Sequence, residues 1–255
     1  MHTPSMKRSA LALIGAYALG CGTDKAPDPL APTGPVARVR FVDVITDTTR
    51  GRVNAILEST PFGVNLTYTQ SAPATLPSPA TALYSPVYAG ARTLVLRRTI
   101  DTSVVVATFS PTFVASQDHT IYAIGGAGGG AIASFLSADD NTVPAATSSR
   151  VRVVNLSPTG GSMDVFITAA GADLSAATPS VSALANGAAS GYLTMPSGTY
   201  QVRFVPAGTA PAARAASVVI TIAAQALPGG VGRTIVAADN NVGGAPLRAF
   251  VLSDS

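Results

Sequence analysis

The sequence predicts an all-β chain: two tandem antiparallel β-sandwich domains of immunoglobulin-like size behind a cleaved N-terminal signal. Three observations predict it. Short apolar runs alternate with polar residues at the period of a strand, and turn clusters separate them. The same ordered set of runs occurs twice. An uncharged stretch near the start ends at Cys21, the only cysteine among 255 residues.

Residues 1–20 read as the signal. Met6-Lys7-Arg8 is a basic start, and Ser9 to Gly20 carries no charge. A spanning helix needs roughly 20 apolar residues, so this run is too short to cross and suits a signal core. Met6 is a better-placed start than Met1 for such a signal. Ala18-Leu19-Gly20-Cys21 resembles the lipobox of bacterial lipoproteins, with Gly20 and Cys21 in place and Ala18 and Leu19 transposed. The resemblance implies lipid attachment at Cys21. Two or more acyl chains would anchor stably, where one binds only marginally. A plain cleaved signal and a buried structural cysteine are the competing readings.

Residues 21–36 read as a tether, because Pro27, Pro29, Pro32 and Pro35 favour an extended chain. Residues 37–141 form the first expected domain and residues 150–255 the second. Arg38-Val39-Arg40-Phe41 recurs as Arg150-Val151-Arg152-Val153. Tyr84 and Leu94-Val95-Leu96 recur as Tyr192 and Val202-Arg203-Phe204, Ser103-Val104-Val105-Val106 as Ser217-Val218-Val219-Ile220, and Phe135-Leu136-Ser137 as Phe250-Val251-Leu252. The spacing of about 110 residues is too long for a solenoid and suits paired domains. In the opening strand Val39 and Phe41 point to one face and Arg38 and Arg40 to the other, as in a half-buried strand. No disulfide can form within the chain, so apolar cores must hold each domain.

Charge narrows the function. The formal charge of +3 includes Lys7 and Arg8, and without those two it is +1. No basic run follows the signal, so a nucleic-acid partner is not expected. Charged residues are 11% of the chain against 47% hydrophobic, which excludes a disordered chain.

No catalytic constellation is expected. After the signal the only histidine is His119, and neighbouring Asp118 points to the opposite side of a strand, so the two cannot form a base and its orienter. His119 is expected at the surface or a hairpin end. A protein-built zinc site lacks ligands. The glycine run 125–130 has no Lys-Ser/Thr after it and reads as a hairpin connection, not a phosphate loop. Asp139-Asp140-Asn141 and Asp239-Asn240-Asn241 could offer oxygens to calcium, but such runs after strands are usually solvated turns. No cofactor and no metal are expected.

Val151-Arg152-Val153-Val154-Asn155-Leu156-Ser157-Pro158, followed by Asp164-Val165-Phe166-Ile167, resembles the opening of the bacterial domain of unknown function 4397 family. Tyr192 with Pro196-Ser197-Gly198-Thr199-Tyr200 resembles a later feature of that family, while Asn155 stands where it often has His. The resemblance spans most of 150–255, and 37–141 reads as a degraded copy. It implies tandem β-sandwiches on exported or surface proteins, and it brings no catalytic residue. The expected function is therefore a non-enzymatic cell-envelope lipoprotein, anchored to a bacterial membrane and facing the periplasm or the surface. Its role would be structural, adhesive or partner-binding, with an envelope protein or glycan as partner. The alternative is a carbohydrate-binding accessory module that uses Tyr68, Tyr84, Tyr88, Tyr192 or Tyr200, since the chain has no tryptophan.

Overall fold

The structure, a computed structural model, describes residues 34–73 and 83–255. The expected signal, Cys21 and most of the expected tether lie outside the described residues. Among the described residues there are strands and four single-turn 3-10 helices, and no α-helix.

The first set of strands is β1 (Val36–Ile45), β2 (Val53–Leu57), β3 (Thr60–Leu66), β4 (Ser71–Ala72), β5 (Ser85–Tyr88), β6 (Gly90–Ala91), β7 (Leu94–Arg98), β8 (Val105–Phe109), β9 (Thr112–Phe113), β10 (Asp118–Gly125) and β11 (Ile132–Asp139). One sheet runs β11-β10-β1-β4, with β5 also paired to β1. The facing sheet runs β3-β2-β7-β8, and β6 and β9 form a small ribbon. Alternation in β1 sends Val39 and Phe41 inward, where they meet Ile121 of β10 and Ala55, Leu94 and Leu96 of the facing sheet. Full burial of a Phe or Leu side chain contributes roughly 1.5–3 kcal/mol, so this cluster carries the weight that a disulfide would otherwise share.

The second set is β12 (Ser148–Leu156), β13 (Met163–Thr168), β14 (Val181–Leu184), β15 (Ala188–Ala189), β16 (Leu193–Pro196), β17 (Gly198–Pro206), β18 (Ile220–Leu227), β19 (Gly232–Ala238) and β20 (Arg248–Ser253). Its sheets run β20-β19-β12-β15, with β16 on β12, and β14-β13-β17-β18. This is the strand order of the first set. Val153, Val165, Val202, Phe204 and Ile235 fill its core.

The antiparallel expectation fails at one pairing in each set. β1 runs parallel to β10, with Phe41 opposite Ile121, and β12 runs parallel to β19, with Val153 opposite Ile235. Parallel neighbours need a long crossover. Here the chain builds the whole facing sheet between them, so β10 and β19 return in the same direction as β1 and β12. β12 starts at Ser148, two residues before the expected domain start. The connector before it lies against the β18–β19 turn, where Gly230 N–H donates to Ala145 O at 3.2 Å. A Cβ on Gly229 would sit 1.7 Å from Ala146 O.

The two sets share a third apolar cluster. Val42, Val44 and Tyr122 meet Val154, Leu156, Val236 and Ala238 there. Pro32–Ser255 accordingly forms one compact unit.

Candidate functional site

The outer faces of β1 and β12 carry the charges that the sequence assigns to a half-buried strand. The structure buries them: Arg40 and Arg152 are each 2% exposed, because each outer face packs on the other set. Their contacts are reciprocal. Arg40 Nε donates to Thr120 Oγ1 at 3.1 Å, while its Nη atoms reach across to Ser253 O at 2.6 Å and Asp254 Oδ1 at 2.8 Å. Arg152 Nε donates to Thr234 Oγ1 at 2.8 Å, and its Nη atoms reach across to Ala138 O at 2.9 Å and to Asp139.

Two tyrosines complete the pattern. Tyr84 OH donates to Asp139 Oδ2 at 2.8 Å, and Tyr192 OH reaches Asp254 Oδ2 at 3.4 Å. The Arg40 guanidinium lies 4.8 Å from the Tyr84 ring centre, and that of Arg152 lies 5.0 Å from the Tyr192 ring centre. Burial raises both phenols, so they stay neutral donors. A buried ion pair gains little net stability, but losing one partner costs about 3–5 kcal/mol. The arrangement thus ties the two sets together, because each guanidinium reaches a buried carboxylate of the opposite set.

Beside this lattice lies a cleft of about 530 Å³ that both sets line. Asp43, Tyr68 and Arg52 come from the first set, and Asn241, Arg248 and Phe250 from the second. Tyr68 OH donates to Asp239 O, which ties the loop after β3 to the far set. Burial pushes its phenol up to about 12. Asp43 is 2% exposed, and its Oδ1 accepts from Ile45 N–H at 2.9 Å. Burial pushes its carboxyl up to about 6, against the smaller opposing effect of the Ile45 hydrogen bond. Nothing in the sequence marks this site, because its residues are scattered and meet only when the sets dock.

The residues singled out by sequence fall elsewhere. Cys21 lies outside the described residues. His119 is not at the surface. It is 3% exposed, its Nε2 accepts from Val114 N–H at 3.0 Å, and its ring centre lies 5.6 Å from that of Phe113. Phe113 and Val114, which the chain lays against the ring, cover it. Asp118 turns instead to Arg38, whose Nε donates to it at 2.7 Å.

The two Asp/Asn runs are used by the fold. Asp139 serves the lattice, and Arg150 pairs with Asp140 at 2.6 Å and holds its carboxyl well below the usual carboxylate range. Asp239 accepts from Ser157 Oγ at 2.5 Å, Thr159 Oγ1 at 2.7 Å and Gly244 N–H at 2.9 Å. The glycine run is the hairpin between β10 and β11: Gly125 has φ +91°, and a Cβ there would lie 2.7 Å from Ala131 O. Of the tyrosines, Tyr84 and Tyr192 serve the lattice, Tyr200 OH donates to Pro196 O at 2.9 Å, and Tyr88 is 39% exposed on β5.

Residues 37–166 match the family described as Domain of unknown function (DUF4397). The match covers the strands expected to be a degraded copy and continues through the Ser157-Pro158 turn to Phe166. No curated protein matches the chain.

Proposed function

The chain belongs to the DUF4397 family, and from that premise we propose that it is a non-enzymatic lipoprotein of the bacterial cell envelope. In this reading Cys21 carries the acyl chains and residues 21–36 hold the body clear of the membrane. Two tandem immunoglobulin-like sandwiches then present loops and sheet edges to an envelope partner, in the periplasm or at the surface. The observation that carries the reading is the reciprocal lattice of Arg40, Asp254, Arg152 and Asp139. It commits the buried charges to docking and leaves a stiff platform, the kind of scaffold on which loop shape sets binding. The shared strand order of the two sets supports their origin as copies of one unit.

Metabolic labelling with fatty acid tests the anchor. Label enters the wild-type chain and not Cys21→Ser; equal labelling of both removes the anchor from the proposal. Exposed Tyr88 favours a second reading, glycan binding by ring stacking. In that case a fragment spanning 22–255 binds on a glycan array and Tyr88→Ala does not.

A further inference from the structure

The cleft between the two sets holds two opposite charges that form no ion pair among the described residues. Asp43 and Arg248 line it from different sets. Asp43 is almost wholly buried, yet among the described residues no guanidinium pairs with it, and its one protein donor is Ile45 N–H. Arg248 is exposed on β20 and makes no hydrogen bond or ion pair among the described residues.

The equivalent positions elsewhere in the pairing pattern are neutral. Asp43 lies opposite Ala123 of β10, and its counterpart opposite Ala237 of β19 is Asn155. Asn155 keeps the same local bond, accepting from Ser157 N–H at 3.1 Å, and its amide donates to Gly161 O and Leu184 O. Arg248 lies opposite Ala238, and its counterpart opposite Ile124 is Ala133. Both charges therefore occur at one end of the interface and neither at the other. A buried carboxylate without a cationic partner opposes folding, so packing alone does not account for it.

We propose that this cleft binds a small zwitterion, an amino acid or short peptide with both termini free, its ammonium at Asp43 and its carboxylate at Arg248. The volume falls in the usual range for small-molecule sites, roughly 300–1,000 Å³. A divalent cation fits poorly. It needs several oxygen ligands, whereas Asp47 is already held by Thr49 and Arg50 and two arginines line the same space. A simple anion would face Asp43, and a neutral ligand would answer neither charge. The inference stands apart from the anchor and glycan readings.

Calorimetric titration of the full chain with alanylalanine, N-acetyl-alanylalanine and alanylalanine amide tests it. The free dipeptide binds about tenfold or more tightly than either blocked form, as expected for charge-assisted hydrogen bonds. Asp43→Asn removes the preference over the N-acetyl form and keeps the preference over the amide. Arg248→Gln does the reverse, and circular dichroism of both variants checks the fold. Three results overturn the proposal: no binding at millimolar dipeptide, equal binding of a blocked form to the wild type, or both preferences surviving in either variant.

Discussion

Replacing Asp43 by Asn should stabilise the protein at neutral pH and leave it unchanged in acid. The folded carboxyl is pushed from 3.8 to about 6 by burial. At about 1.4 kcal/mol per tenfold change in ionisation, that corresponds to about 3 kcal/mol. The sign follows from proton binding. The folded state holds this proton more tightly than the unfolded chain, so the group imposes no penalty below 3.8. The penalty grows between 3.8 and about 6 and is complete above about 6. Asn cannot ionise, and Asn155 shows that an amide makes the same bond to the N–H two residues on. Urea unfolding of both proteins from pH 3 to pH 8 measures the difference. The two should coincide in acid and separate by about 3 kcal/mol at neutral pH, or roughly 6–12 °C in Tm for a body of this size. A gap that does not change with pH, or one that favours the wild type at neutral pH, would refute the reasoning. The reverse change, Asn155→Asp, removes the donors to Gly161 O and Leu184 O and buries a charge, so it should destabilise at neutral pH.

Two further outcomes follow from the interface and the connector. Arg152→Met takes from Asp139 its nearer guanidinium and leaves that of Arg40 at 3.8 Å, so it should cost about 3 kcal/mol in chemical denaturation, the low end for a broken buried pair; adding Asp139→Leu should recover part of that loss. Gly229→Ala should lower Tm clearly even though alanine is small, because its Cβ would overlap the backbone carbonyl of Ala146, 1.7 Å away. A Tm equal to wild type would show that the connector does not press on the β18–β19 turn.

Much of the architecture was legible because a strand writes its faces at period two. Val39 and Phe41 announced an inward face, and they enter the core with Ala55 and Leu96. The glycine run announced a hairpin because glycine takes left-handed backbone without strain, and at Gly125 a Cβ would also meet Ala131 O at 2.7 Å. His119 was misplaced for a physical reason. Local pattern does not reveal that Phe113 and Val114 come to lie against the His119 ring. The cleft was illegible altogether, since Asp43 and Arg248 belong to different sets and neither sits in a motif.

The sequence by itself determined an all-strand chain with its turns, its inward-facing residues and its repeated order of strands. It determined these because alternation and turn chemistry are local. Tertiary structure alone decided what covers the other face. Period two states which residues share a side, and says nothing of whether water or protein lies beyond it. Docking of the two sets turned Arg40 and Arg152 from expected surface charges into a buried lattice, and it left Asp43 facing a cleft that neither set forms alone.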